Sequence, residues 1–252
     1  MVLGIKTILW DVDSTLLDFG AAERAAIRKL FSEFGLGECT DEMLRRYSEI
    51  NVSFWRRLER NEISRAEVLK GRFVQFFSEC GIDTSIVEEF DDLYQLRLGD
   101  TIVIRDDCLN ILRALKGKVG QYVVSNGTVA AQTKKLSRSG IGELVDGIFL
   151  SEELGVGKPN AGFFMKVFEK IQPEDLSEVL IVGDSLTSDI QGGMNAGIRT
   201  CWYNPDGRPL PEGYRADMII SDLHELAEMF GVIDKIEHTI LKESDNKQGA
   251  GL

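Results

Sequence analysis

The sequence predicts an α/β fold, a Rossmann-like core built on a parallel sheet with an inserted α-helical domain. Short apolar runs alternate with helical patterns along most of the chain, as in βα units whose strands pair in parallel. One long stretch carries helical patterns without any strand pattern. At 252 residues, the chain can bury a core of this kind without disulfide bonds.

Five apolar runs flanked by Gly, Asp, Asn or Ser are predicted as strands, and a sixth run is weaker. In chain order these runs cover residues 7–10, 121–124, 147–150, 179–182, 200–203 and 218–220. The helices predicted between them cover residues 107–116, 129–139, 162–171 and 188–196. Strands that alternate with helices of this length imply right-handed crossovers and a sheet buried on both faces.

The stretch between Leu17 and Leu98 breaks this alternation. Its predicted helices cover residues 21–34, 41–60, 65–79 and 85–98, and Gly35 and Gly81 are placed to end helices. We therefore predict a helical cap domain over residues 17–98, inserted into a core domain formed by residues 1–16 and 99–238. Residues 239–252 are predicted to be a polar C-terminal tail.

Composition excludes several classes of function. The chain has 29 Lys and Arg against 41 Asp and Glu, a net charge of −12, so we expect no attraction to nucleic acid polymers or anionic membranes. The N-terminal run reaches a carboxylate too soon for a signal peptide or a membrane span. Four cysteines without CxxC spacing indicate reduced thiols, so we expect a cytoplasmic protein. Two histidines near the C-terminus argue against a Ser-His-Asp triad.

Residues that can carry chemistry follow four of the predicted strands. The carboxyl ends of parallel strands meet at one edge of a sheet, where ligands bind. The four segments are Asp11-Val12-Asp13-Ser14-Thr15, Ser125-Asn126-Gly127-Thr128, Gly157-Lys158-Pro159 after a helical turn, and Gly183-Asp184-Ser185 with Asp189. We therefore predict a site at this edge that combines four carboxylates, a lysine and a hydroxyl.

Asp11 and Asp13 are the candidate reacting groups. In extended backbone, residues two apart point to the same side, so both carboxylates can address one reacting centre. One carboxylate can attack as a nucleophile while the other moves a proton. Aspartates at a strand end also serve as helix caps, and the catalytic interpretation depends on the other three segments.

Asp184 and Asp189 add negative charge to the same edge. Crowded carboxylates repel one another unless a cation holds them, and hard oxygen ligands favour Mg²⁺. We predict Asp11 and Asp184 as direct ligands and Asp189 as a supporting residue. The alternative for Asp189 is an ordinary acid at a helix N-terminus.

Ser125, Lys158 and the Asn126-Gly127 pair suit an anion. The backbone N–H groups at the start of the predicted helix 129–139 can bind phosphate, and Lys158 supplies a point charge. Asn-Gly alone would indicate a hairpin turn, and Lys-Pro alone a surface turn.

In this order and spacing, the four segments resemble those of the haloacid dehalogenase superfamily of aspartate-nucleophile hydrolases, whose pattern is DxDxT, Ser or Thr, Lys-Pro and GDxxxD. The resemblance covers residues 8–204. Within that superfamily, Asn51, Trp55, the run SEELGVGKP and residues 195–204 (NAGIRTCWYN) are similar to the pyrimidine 5′-nucleotidase subgroup. Ser14 departs from the pattern, because many members have Gly there.

The resemblance implies a Mg²⁺-dependent phosphatase that acts on small phosphorylated metabolites, with pyrimidine nucleoside monophosphates as the expected substrates. Asp11 would form a phosphoaspartyl intermediate. Asp13 would protonate the leaving alcohol and then activate water, and its backbone carbonyl would ligate the metal. The helical cap would exclude bulk water. The groups expected to stabilise the phosphoryl oxygens are Lys158, Ser125 and the backbone N–H groups of Val12, Asp13, Asn126 and Gly127.

Other functions stay open at this point. A sugar-phosphate phosphatase or a phosphomutase would keep all of these residues. A dehalogenase would need neither Asp13 nor magnesium, and a phospho-ligand binding module would tolerate loss of Asp11 or Lys158, which are both present. In the predicted cap, Phe54, Trp55 and Phe73 are either base-stacking residues or core.

Overall fold

The computed structural model describes residues 4–233 and Ile236, so the predicted tail lies outside the described residues. The strands are β1 (Thr7–Trp10), β2 (Gly120–Ser125), β3 (Gly147–Leu150), β4 (Val179–Gly183), β5 (Arg199–Tyr203) and β6 (Met218–Ile220). In the described part of the chain they form one parallel sheet in the order β3-β2-β1-β4-β5-β6. The predicted α/β fold with a helical insertion is confirmed.

The insertion contains four helices that follow β1, namely α1 (Phe19–Glu33), α2 (Asp41–Glu59), α3 (Arg65–Cys80) and α4 (Val87–Arg97). Side chains cap three of them, because Asp18, Thr40 and Ser64 each accept a backbone N–H from the first turn. Gly81 ends α3 with φ 69°, a left-handed conformation that favours glycine.

The remaining helices follow the insertion and separate most of the strands. They are α5 (Cys108–Leu115), α6 (Val129–Ser139), α7 (Ser151–Leu154), α8 (Ala161–Ile171), α9 (Gln191–Ala196) and α10 (His224–Met229). The helix predicted over residues 188–196 instead begins with a π-helical turn, Leu186–Ile190, because the N–H of Ile190 donates to the carbonyl of Ser185. No helix among the described residues is long and apolar enough to span a bilayer.

The register of the sheet brings the carboxyl ends of β1, β2 and β4 to about the same level. Trp10 at the end of β1 lies beside Val123 of β2 and Val182 of β4. Because β1 is central, Ile8, Leu9 and Trp10 are fully buried. The residues that follow these strands therefore start from neighbouring points.

The chain divides into two compact units. One contains the sheet, and the other comprises Asp18–Val103 together with Gly127–Arg138, so most of α6 belongs to the helical unit. The domain boundaries predicted from the sequence, between residues 16 and 17 and between 98 and 99, remain predictions.

The helical unit has an aromatic core that encloses an ion pair. Tyr47 stacks on Phe73 with ring centroids 5.0 Å apart, and both side chains are fully buried. Arg72 donates to Asp91 at 2.8 Å and to Asn51 at 2.9 Å in the same interior. The guanidinium also lies over the Phe73 ring, so its charge is compensated from several sides.

Asp91→Ala should lower the free energy of unfolding by about 3–5 kcal/mol, because it leaves the buried Arg72 guanidinium without its carboxylate. Urea denaturation monitored by circular dichroism measures the loss. Glu88→Ala is the matched control: it breaks the Lys70–Glu88 pair, which also joins α3 to α4 but is exposed to water. The control should change stability little, and equal losses in the two variants would contradict the expectation.

Candidate active site

The ammonium group of Lys158 joins three segments at the carboxyl edge of the sheet. Its Nζ donates to Asp11 Oδ1 at 2.8 Å, to Asp189 Oδ1 at 2.6 Å and to the carbonyl of Val124 at 2.8 Å. Lys158 is buried, and these bonds account for all three ammonium hydrogens. One side chain therefore links the ends of β1 and β2 to the turn after β4.

The carboxylates around Lys158 carry more negative charge than its single ammonium group can balance. Burial raises the pKa of Asp11 to about 7, although the ammonium of Lys158 partly offsets the effect. Burial and the charges of Asp11 and Asp189 raise the pKa of Asp184 well above its usual range. Lys158 shows the complementary effect, because the two carboxylates overcome the cost of burial and raise its pKa. The carboxylates therefore favour an additional cation.

Asp11 is held at both carboxylate oxygens. Oδ1 accepts the Lys158 bond, and Oδ2 accepts from Thr15 Oγ1 at 3.0 Å. The Asp11 N–H extends the sheet pairing by donating to the carbonyl of Val182 at 2.9 Å. Thr15 had no role predicted from the sequence, although its position four residues after Asp11 in a tight turn is the signal that could have identified it.

The turn after β1 presents Asp13 beside Asp11. The carbonyl of buried Val12 accepts the N–H groups of Thr15, Leu16 and Leu17, so the chain reverses within a few residues. Ser14 adopts φ 68° in this turn, which explains physically why glycine suits the position. Asp13 is half-buried, and its charge contributes to the raised pKa of Asp11.

The segment after β2 supports Lys158 in a way that the sequence did not suggest. Ser125 is buried and ends β2, directly after the carbonyl of Val124 that binds the ammonium. The Asn126 side chain donates to the Lys158 carbonyl at 2.8 Å and accepts the Lys158 N–H at 2.9 Å. Asn126 thus positions the lysine through its amide, whereas we predicted a role only for its backbone. Gly127 follows it and is grouped with the helical unit.

Three carboxylates form a group that could hold a metal ion. Ligand oxygens of Asp11, Asp184 and Asp189 all lie within 4.8 Å of one another. Both Asp189 oxygens already accept hydrogen bonds, one from Lys158 and the other from the Ser185 N–H at 3.1 Å. Hard oxygen donors with uncompensated negative charge fit Mg²⁺. Within the described residues, the Asp13 side chain is not part of this group.

Two of the aromatic candidates belong to the helical core. Phe73 is fully buried, and Phe54 is buried against the backbone of Gly71. Trp55 is half-buried and packs against the same core. Asn51 is also interior, where it donates to Glu23 at 2.8 Å and accepts from Arg72. Helical periodicity could not separate these packing residues from substrate contacts, because both types lie on apolar faces.

Comparison with known proteins shows which family the chain resembles along most of its length. The family model for haloacid dehalogenase-like hydrolases matches residues 5–197. The HAD-hydrolase YfnB of Bacillus subtilis is 36% identical over 240 residues, which cover 93% of this chain and 97% of that protein. A crystal structure of YfnB bound to magnesium superimposes with a TM-score of 0.83 at 35% identity, covering 90% of this chain and 98% of that one.

Two further relatives are pyrimidine 5′-nucleotidases. PynA of Streptococcus pneumoniae is 38% identical over 202 residues, covering 79% of this chain and 84% of that protein. YjjG of Escherichia coli is 29% identical over 222 residues, covering 88% of this chain and 96% of that protein.

Gly183→Ala should lower the free energy of unfolding by about 1–3 kcal/mol, because the new Cβ would lie 2.2 Å from Asp189 Oδ2 and force that carboxylate away from Lys158. Thermal and urea denaturation measure the loss. In the control Gly20→Ala, the Cβ would lie 3.0 Å from the flexible end of Arg24 and 3.4 Å from Asp18 Oδ1, an ordinary contact, so stability should stay the same or rise slightly. Unchanged stability of Gly183→Ala would contradict the close approach.

Proposed function

The chain belongs to the haloacid dehalogenase-like hydrolases, and on that premise we propose that it is a Mg²⁺-dependent phosphatase acting through a phosphoaspartyl intermediate. The proposed substrates are pyrimidine nucleoside 5′-monophosphates. The observation that carries the proposal is the orientation of Asp11, whose oxygens are held by Lys158 and Thr15 beside two further carboxylates.

In the first step, a carboxylate oxygen of Asp11 attacks phosphorus and the bond to the leaving oxygen breaks. The hydrogen bonds from Lys158 and Thr15 orient this carboxylate before the substrate arrives, which reduces the entropic cost of attack. Asp13 gives its proton to the leaving alcohol. Its place two residues after Asp11, half-buried in the turn, suits a group that must exchange protons with substrate and water.

In the second step, Asp13 takes a proton from water, and the water oxygen attacks phosphorus. The bond between phosphorus and Asp11 breaks, which releases inorganic phosphate and restores Asp11 as a carboxylate and Asp13 as the protonated acid. The Asn126 side chain makes two hydrogen bonds to the main chain of Lys158, so the lysine ammonium stays beside the reacting carboxylate. Ser125 and the backbone N–H groups of Val12, Asp13, Asn126 and Gly127 are the proposed partners of the phosphoryl oxygens.

We assign the Mg²⁺ to Asp11, Asp184 and the backbone carbonyl of Asp13, with Asp189 as a supporting residue. Bound Mg²⁺ would neutralise charge on the carboxylates and on the phosphate oxygens that approach them. Asp189 fits the supporting role because Lys158 and the Ser185 N–H already occupy its oxygens. The magnesium-bound structure of YfnB supports the choice of ion.

The proposed substrate class comes from the relatives. PynA and YjjG are named as pyrimidine 5′-nucleotidases, and their similarity extends well beyond the four short segments to most of this chain. Sugar phosphates are the alternative class, because an N-acylneuraminate-9-phosphatase of Mus musculus is also similar, at 25% identity.

Asp11→Asn should reduce phosphate release by about 10³-fold or more, because the amide is a poor nucleophile. Release of inorganic phosphate from a nucleoside monophosphate measures it. Asp175→Asn is the control, since it makes the same chemical change at an exposed capping residue and should retain full activity. Normal turnover by Asp11→Asn would remove Asp11 from its proposed role.

Nucleoside 5′-monophosphates should exceed hexose and triose phosphates in kcat/KM by about tenfold or more, because a selective site gains contacts to the base and ribose. Phosphate release is compared across pyrimidine nucleotides, purine nucleotides and sugar phosphates under one set of conditions. Pyrimidine nucleotides should rank first. The reverse order, with sugar phosphates ahead, would support the sugar-phosphate phosphatase instead.

A further inference from the structure

Asp184 is held through its main chain. Its N–H donates to Thr15 Oγ1 at 3.1 Å. Its carbonyl accepts two bonds, from Trp202 Nε1 at 3.0 Å and from Arg208 Nη2 at 3.3 Å. Among the residues that the structure describes, none donates a hydrogen bond to the Asp184 carboxylate. The direction of this carboxylate therefore depends on how firmly its backbone is fixed.

The fold places the indole of Trp202 at this carbonyl. In the pairing of β4 with β5, Trp202 lies beside Gly183, which is the residue immediately before Asp184. The side chain is almost fully buried, and a buried indole N–H needs an acceptor. The Asp184 carbonyl is that acceptor, so the same bond satisfies the indole and anchors the aspartate.

A folded loop brings Arg208 to the same carbonyl. The Asn204 side chain donates to the Arg208 carbonyl at 2.9 Å and accepts the Arg208 N–H at 3.0 Å. The guanidinium then lies over the Trp202 ring, 5.4 Å from its centroid. Arg208 is exposed, yet three neighbours restrain it. Trp202 and Asn204 lie in the segment 195–204, which resembles the pyrimidine 5′-nucleotidase subgroup and had no role predicted from the sequence.

Fixing Asp184 matters because its neighbours repel it. Asp11 and Asp189 carry charge of the same sign within 4.8 Å, and an unrestrained carboxylate would turn away from them. Returning the Asp184 carboxylate to the site would then cost free energy, and this cost would weaken the binding of a cation. Loss of a residue that orients a metal ligand typically costs 10–100-fold in metal affinity.

We propose that Trp202 and Arg208 are positioning residues that clamp the Asp184 main chain and thereby set the affinity of the site for Mg²⁺. This inference rests on the metal ligands assigned in the proposed function. The clamp acts before any substrate binds, so it is measurable by metal binding alone.

The test is isothermal titration calorimetry of MgCl₂ into the full-length protein and into Trp202→Phe. Phenylalanine keeps an aromatic ring in the buried position but has no N–H to donate. We expect the Kd for Mg²⁺ to rise about tenfold in Trp202→Phe. Tyr203→Phe is the matched control, because it removes a hydrogen bond of the next residue, from Tyr203 Oη to Asp106, away from Asp184. The control should bind Mg²⁺ as the wild type does.

The outcomes separate the two proposals. If the wild type binds Mg²⁺ and Trp202→Phe binds it equally well, the clamp is refuted while the magnesium assignment stands. Equal weakening in Trp202→Phe and Tyr203→Phe also refutes the clamp, because the effect would then be general. If the wild type binds no Mg²⁺, the magnesium assignment fails and the clamp fails with it.

Thermal denaturation without Mg²⁺ shows whether Trp202→Phe folds. If it does not, Arg208→Gln carries the test, since this exposed side chain can change without disturbing the core. The comparison with wild type is then made at about 1 M salt, where the screening length is roughly 3 Å and the lost charge matters little. Weaker Mg²⁺ binding by Arg208→Gln supports the clamp, and unchanged binding overturns it.

Discussion

The rest of the site depends on the hydrogen bonds and ion pairs of the buried Lys158 ammonium group. It is the shared partner of Asp11, Asp189 and the end of β2, three pieces of chain that are distant in sequence. A buried cation is stable only when it is paired and fully hydrogen-bonded, so each of its partners is constrained as well. Asn126 fixes the lysine backbone and Thr15 fixes the second oxygen of Asp11, which extends the same constraint outward.

The site keeps more negative charge than Lys158 can balance. Burial raises the pKa values of Asp11 and Asp184, which is the cost of holding several carboxylates together at the edge of a sheet. A simple stabilising network would not retain such an excess, whereas a site that binds a divalent cation and a phosphate would use it. Asp184 illustrates the arrangement, because its main chain is anchored while no donor among the described residues holds its carboxylate.

Much of the fold could be predicted because its signals are local. The buried strands carry apolar runs, the helices carry caps and 3.6-residue periodicity, and β1, β3 and β6 begin and end where the sequence pattern predicts. The π-helical turn before α9 could not be predicted, because it depends on one extra residue closing a hydrogen bond to Ser185. In the helical unit, Phe73 and Asn51 face the interior, which their spacing does not distinguish from a substrate-facing position.

The sequence by itself determined the fold class, the order of the elements and the candidates for the reactive groups, because strand ends in a parallel sheet must deliver their next residues to one edge. Tertiary structure alone decided which groups are in contact. The Lys158 ammonium donates its three hydrogens to Asp11, Asp189 and the Val124 carbonyl, and the Asn126 side-chain amide holds the lysine backbone. It also decided that Trp202 reaches the carbonyl of Asp184. Such contacts join residues up to 147 positions apart, and their distances follow from strand register and packing, which no local pattern encodes.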